Sequence, residues 1–342
     1  MPKHITHWIL AEKIYQAIEG DSVLKKIINS HKYLYLTGAV ILDTPFFLLY
    51  GRGGKVMNRV AEKIHDTAYS SYAIFKDIMN ADEHPLPDAV LALLLGIITH
   101  IQADAAFHPL VYYFSGKGTA DKKERARHHI LEAYLDLYFK ERLGTPNKGL
   151  FSEVIKKIEV EEKAFLEVLA NLFSLDRKSG INMIKKALKM NSLIQGMFDK
   201  NIPRILLQSL NVLPGMDLSD SISHFYPHPK PVPGTMFLHP FDYRHPVTGQ
   251  KSKVSLNELA EQTIQRVLEV FDVVEKHYGS KKSLSEAFLR LTGPNLYEAF
   301  LRLTGPNLYT GLENTRKSDM HIFNTKKEVL ELIFFNKNDR SV

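Results

Sequence analysis

The sequence contains no cysteine. Disulfides, thiolate metal sites and cysteine nucleophiles are therefore excluded, and any metal here must be held by His, Asp or Glu. Long hydrophobic runs are also missing. The longest, Ala89–Ile98, stops far short of the ~20 residues that cross a bilayer. The opening Met1-Pro2-Lys3-His4-Ile5-Thr6-His7-Trp8 lacks the apolar core of a signal peptide. These absences predict a cytoplasmic protein, with peripheral contact to a membrane as the further option. No convincing run of strands is present either, which predicts an all-α class.

What is present suits a globular chain. Its 342 residues are 44% apolar and 24% charged, enough for one large domain or a main domain with an appendage. Histidine is abundant, at 15 residues, and the net charge is +6. A basic excess suits anionic partners such as phosphate-bearing lipids or nucleic acids, although a solvated basic surface explains the charge equally well. Nothing in the sequence selects an oligomeric state.

Helical periodicity dominates. Trp8, Ile9, Ala11, Ile14, Tyr15 and Ile18 form one stripe, closed by Gly20. Asn58–Met79 reads as a long helix. A further helix opens at Pro87-Asp88, is apolar all round as a central buried helix should be, and is expected to end or bend at His108-Pro109. Lys122–Leu143, Ser152–Phe173, Ile181–Lys189, Leu193–Leu210 and Val254–His277 continue the pattern. His224–Gly249, rich in Pro, His and aromatics, reads as a long ordered loop and candidate lid. Its histidines, His224, His228, His239 and His245, read as loop residues. The organisation expected is a helical domain over residues 1–215, with 216–342 packed on it. Gly51-Arg52-Gly53-Gly54-Lys55 lacks the spacing and Ser/Thr of a phosphate-binding loop and reads as a flexible turn.

One feature is unusual. Glu286–Tyr297 (EAFLRLTGPNLY) is followed at once by an identical copy, Glu298–Tyr309. Two units do not make a solenoid, and identity this complete reads as a recent duplication.

The chemistry concentrates in the N-terminal half. His100, Asp104 and His108 recur at i, i+4, i+8 on the central helix, so their side chains share one face. Three ionisable groups in an apolar helix are costly unless paired or bound to metal. For one such residue a satisfied core histidine is the better account; for three in phase, a metal is. His128 and Glu132 form a second i, i+4 pair able to reach one ion, although such a pair standing alone is more often a salt-linked helix face. His129 points about 100° away. Taken singly, His7 and His65 read as core or capping histidines, and Asp43, before Thr44-Pro45, as a cap or turn residue.

The order along the chain adds to this. His7, Asp43, His65, His100-xxx-Asp104, His108 and His128-xxx-Glu132 together resemble the zinc-dependent phospholipase C family, whose all-helical fold is shared with fungal single-strand-specific nucleases. The resemblance covers roughly residues 1–140. It implies that His65, His100 and Asp104 hold one zinc, that His108, His128 and Glu132 hold a second, and that His7 helps hold a third, bridged by Asp104. Asp43 would be the catalytic carboxylate that orients or deprotonates the attacking water. Secreted members also use their mature N-terminal amine on the third zinc; here His4 is the alternative, or the third metal is absent. They also place the histidine after HxxxD two residues further on than His108.

Zinc brings the pKa of bound water near neutrality and neutralises phosphoryl oxygens, so a phosphate ester is the expected substrate. The leading expectation is a phospholipase C-type hydrolase cleaving the glycerol–phosphate bond of a phospholipid. The alternatives are a single-strand nuclease, for which Tyr112, Tyr113 and Phe114 are candidate base-stacking platforms, and a non-catalytic helical scaffold stabilised by metal.

Overall fold

The structure is a computed structural model. It describes residues 3–67, 70–75, 86–118, 121–143, 151–158, 162–228, 237, 239–278 and 305–326. The helices are α1 (His4–Ala17), α2 (Val23–Ser30), α3 (Lys32–Ile41), α4 (Gly51–His65), α5 (Asp88–Ser115), α6 (Lys122–Leu143), α7 (Phe151–Lys156), α8 (Glu162–Leu172), α9 (Arg177–Gln195), α10 (Asn201–Leu210), α11 (Ser219–Ser223) and α12 (Leu256–Lys276). The fold is all-α, with one small hairpin, β1 (Phe241–Arg244) and β2 (Lys251–Val254).

α5 is the axis of the molecule. By length and composition it could cross a membrane, yet 94% of its most apolar stretch is buried within the protein. Its inner half packs into a core with Trp8, Tyr35, Ile41 and Phe271, and its outer half into one with Leu10, Phe139, Phe241 and Leu259. The α3–α5 crossing is very close. A Cβ added at Gly38 would overlap the Leu93 carbonyl oxygen, and one at Gly96 would overlap that of Tyr35. Only glycine lets two backbones approach this far. The approach brings Ala39 and, one turn on, Asp43 alongside His100.

Several local expectations are corrected. α5 does not end at His108-Pro109 but runs through Pro109 to Ser115. Proline there leaves the Ala105 carbonyl without its i+4 donor, and Gly311 of the C-terminal segment lies against that oxygen. The expected helix Asn58–Met79 begins earlier, at Gly51, and stops at His65; Ser71–Phe75 is a 3-10 turn. The GRGGK segment is thus the opening of α4 rather than a free turn. Residues 68–69 and 76–79 lie outside the described residues. Ser152–Phe173 is divided into α7 and α8, and α9 carries helix through 189–195 before the break at 196–200.

The absence of strands is also corrected. β1 and β2 pair antiparallel, with Phe241 opposite Val254 and Arg244 opposite Lys251. Phe241 and Val254 are buried in the outer core. The pairing falls inside the segment expected to be irregular, because each strand has only four residues, too few for an alternation to register. α12 begins with a full capping box between Ser255 and Glu258 and packs on α1 and α5.

Candidate metal centre

α1 is held at its N-terminus by Asp136 of α6. The Asp136 carboxylate accepts from the Thr6 amide (2.8 Å), the Thr6 hydroxyl (2.6 Å) and the Tyr226 hydroxyl (2.8 Å). A carboxylate suits a helix N-terminus because it meets unpaired N–H groups and the positive end of the dipole. This contact places His7, one residue on, over the middle of α5.

Asp43, His65, His100 and Asp104 converge there. One ligand atom from each lies within 4.8 Å of the others, and all four residues are buried. His65 Nε2 is 3.2 Å from Asp43 Oδ1 and 3.6 Å from Asp104 Oδ2. His100 Nε2 is 3.4 Å and 3.2 Å from the same two oxygens. Ligands about 2.0–2.1 Å from a tetrahedral zinc stand roughly 3.3 Å apart, and these four edges scatter around that value. A second group, His108, His128 and Glu132, meets the same criterion, with His128 Nε2 2.8 Å from Glu132 Oε1. His7 joins through Asp104 alone: its Nε2 is 3.3 Å from Asp104 Oδ1, and its ring stacks on His100 at 4.4 Å. His4 sets its ring edge-on to Trp8.

The imidazoles are oriented by backbone carbonyls. His65 Nδ1 donates to Ala61 O (2.8 Å), His100 Nδ1 to Ala39 O (2.9 Å) and His108 Nδ1 to Leu308 O (2.5 Å). A carbonyl only accepts, so Nδ1 carries the proton and Nε2 faces the centre. Partners of this kind fix ring orientation in metal sites. His108 Nε2 and His7 Nδ1 are buried without a hydrogen-bond partner, and His100 Nε2, His7 Nε2 and the two Asp104 oxygens make no well-directed hydrogen bond although they stand within 3.2–3.3 Å of one another. Buried polar atoms left this way are costly, and a bound cation removes the cost. The donors present therefore fit zinc.

Charge is distributed to match. Burial disfavours the His100 imidazolium, but Asp104, Asp43 and the Ala39 carbonyl outweigh it and lift the pKa to about 9. Burial pushes His108 and His128 well below the ordinary histidine range. Burial would raise Asp104, yet His108 and His100 beside it hold it well below the usual carboxylate range. Without metal, His100 is an imidazolium beside the depressed Asp104 carboxylate.

His129 borders the second group rather than standing clear of it: its Nδ1 is 3.6 Å from Glu132 Oε2. It forms a third group with Asp220 and His224, but its ring leans on that of His224, with centroids 3.8 Å apart and planes inclined by 31°, Arg125 Nε donates to Asp220 (3.1 Å), and the Lys3 ammonium donates to the His224 carbonyl. The ring contact and the flanking cations tie α11 to α6.

Sequence reasoning missed the far wall of the centre. Gly305–Tyr309, the end of the second duplicate copy, docks on the metal helices. Leu308 N donates to His65 O (3.2 Å), and the Tyr309 ring lies 5.7 Å from the rings of both His65 and His108. Asn307 Nδ2 donates to Asp66 and Thr67 just beyond α4. The first copy lies outside the described residues. No spacing rule links residues 305–317 to α4 and α5.

The model of the zinc dependent phospholipase C family matches residues 6–183, just over half of the chain and every residue of the two buried ligand groups and His7. No curated protein and no solved structure matches. The chain belongs to the zinc-dependent phospholipase C family.

Proposed function

We propose that this family member is a hydrolase of phospholipids, cleaving the glycerol–phosphate bond at a centre of two zinc ions, with His7 and Asp104 placed to hold a third if one binds. The observation that carries the reading is the convergence of His65, His100 and Asp104 with Asp43 beside them, at N–O separations of 3.2, 3.6, 3.4 and 3.2 Å. Bound zinc supplies Lewis-acid polarisation of phosphoryl oxygens and a water acidic enough to ionise near neutral pH. The residues contribute orientation and proton handling. Asp43 turns Oδ1 toward His65 and His100, and Oδ2 remains to accept a proton from the attacking water. His108, His128 and Glu132 form the second anchoring group, on the facing helix α6.

A lipid substrate is favoured over a nucleic acid by two surfaces. Tyr113 and Phe114 are buried against Tyr243 and Phe241, and Tyr112 lies beneath Tyr309, so none offers an open face to a base. α10 has no buried residue. Ile202, Ile205 and Leu206 stand exposed on it, continued by Val212, Leu213 and Met216, with Ile202 and Val212 each 82% accessible. An apolar ridge flanked by Lys200 and Arg204 is suited to the headgroup–acyl boundary of an anionic bilayer.

The test is purified protein with its zinc quantified, assayed on phospholipid vesicles and on single-stranded DNA. Zinc at one or more ions per chain with vesicle cleavage is expected. Asp43→Asn should abolish that cleavage, and Ile202→Asp with Leu206→Asp should lower it on vesicles but not on a soluble short-chain phosphodiester. Absence of zinc together with absence of phosphodiesterase activity sinks the reading, and cleavage of DNA alone replaces it with the nuclease.

A further inference from the structure

Lys317 lies outside the family-matched segment, at the start of a 3-10 turn, Lys317–Asp319, closed by a capping box between Arg316 and Asp319. Its backbone is pinned near the centre, because its amide donates to Asp66 Oδ1 at 2.7 Å. Its ammonium is held between two aromatic faces, 4.8 Å from the Tyr112 ring and 4.7 Å from the Tyr309 ring. Those rings border the metal ligands. Tyr112 is 4.8 Å from the His128 ring, and Tyr309 is 5.7 Å from that of His108. A cation over two rings gains from both quadrupoles, but the rings neutralise nothing. Lys317 makes no ion pair among the described residues.

A half-buried ammonium without a counter-ion is expensive. Burial lowers its pKa to about 8, against the opposing pull of Asp66 and Glu62, so it stays charged at neutral pH. Lys117 and Arg125 add further positive charge nearby. Asp43, Asp104 and Glu132 bring three carboxylates to the centre. Two divalent zinc ions outweigh them by one unit, and Lys317 raises the excess. Tyr112 and Tyr309 are both pushed up by burial and stay protonated. Neither hydroxyl is hydrogen bonded among the described residues, so each can donate to an anion.

We propose that Lys317, seated on Tyr112 and Tyr309, is a phosphate-binding residue of this centre, gripping one non-bridging phosphate oxygen of the substrate, the other oxygens being left to the zinc that the histidines and carboxylates would hold. The inference rests on the phosphodiesterase reading above and adds the non-metal half of the anion site. The ligand it selects is a phosphate group carrying at least one negative charge. A neutral ester offers an ammonium no anionic oxygen and so only a weaker hydrogen bond.

Inorganic phosphate is the probe. Titration calorimetry on the zinc-loaded full chain should show Lys317→Met weakening phosphate by about tenfold or more, the usual scale for a charged hydrogen bond. Lys317→Arg should stay within about threefold of wild type, and zinc content should be equal in all three proteins. Lys317→Gln takes the place of the methionine variant if that one fails to fold. Phosphate affinity unchanged in a folded, zinc-replete Lys317→Met or Lys317→Gln protein overturns the assignment of Lys317 alone. A wild-type protein that retains no zinc and binds no phosphate overturns the phosphodiesterase reading and, with it, this one.

Discussion

The backbone carbonyl of Leu308 accepts a hydrogen bond from Nδ1 of His108 at 2.5 Å, across 200 residues of sequence. That bond turns His108 Nε2 toward His128 and Glu132. The second buried group therefore depends on a C-terminal segment that the family match does not include. The segment is seated by Gly311, whose φ is +70° and whose Cα faces the Ala105 carbonyl. A methyl group there meets both a disfavoured backbone conformation and a backbone atom that cannot move aside. Gly311→Ala should lower stability by roughly 2 to 4 kcal/mol and reduce zinc at the His108 group before the His65 group. Thermal unfolding with zinc quantified per chain reads both effects; an unchanged melting temperature contradicts the seating.

The two duplicate copies should be unequal despite their identity. Tyr309 is followed by Thr310-Gly311, whereas Tyr297 is followed by Glu298-Ala299. Placing the first copy in the seat would put Ala299 where only glycine fits and Glu298 at the site of the buried Thr310. Tyr309→Ala should cost about 3 kcal/mol, as for other buried aromatics, together with most of the activity. Tyr297→Ala should leave both within error of wild type. Equal losses from the two variants would show that both copies visit the seat.

Proton linkage at His100 has a definite sign. Its pKa is raised from 6.5 to about 9 in the folded metal-free protein. The stabilisation this provides is complete below about 6.5 and is lost as pH rises through about 9. Asp104 is depressed, so its contribution disappears instead on acidification below the ordinary carboxylate range. Zinc must displace the His100 proton. Between pH 6.5 and 9 the metal-free protein should lose stability while zinc affinity rises. Calorimetry in buffers of differing ionisation enthalpy at pH 7.5 should detect about one proton released at this group; none released would place the proton elsewhere.

Asp136 holds the N-terminus of α1, the helix that carries His7. Asp136→Ala strands the Thr6 amide and hydroxyl and the Tyr226 hydroxyl in a buried environment. The expected cost is about 3 kcal/mol or more. Because His7 is carried by the same helix, any zinc shared by His7 and Asp104 should weaken while the His108 group keeps its metal. Zinc titration on the variant distinguishes this from uniform loss.

The helical class was legible because the 3.6-residue period is local, and α1, α5, α6 and α12 carry it along their length. His100, Asp104 and His108, and likewise His128 and Glu132, were legible for the same reason. Residues four apart on a helix share a face whatever the rest of the chain does. Resemblance by order added His7, Asp43 and His65, and only tertiary contacts bring those three to α5. Helix boundaries were read less well. His65 ends α4 where Asp66 turns its carboxylate to Asn307 and Lys317, and Pro109 stays inside α5, which local propensity does not indicate.

By itself, then, the sequence determined that any metal site must use His and carboxylates, that two such sets lie on helices, and that the chain folds as helices around an apolar axis. Only the tertiary structure decided that Asp43 joins the first set, that Asp136 anchors His7, and that Leu308, Tyr309 and Lys317 wall the centre. The physical reason is the range of the interactions. Periodicity and spacing follow from a few consecutive backbone dihedrals. A carbonyl presented to His108 from 200 residues away, or an ammonium laid across Tyr112 and Tyr309, follows from packing that no local pattern records.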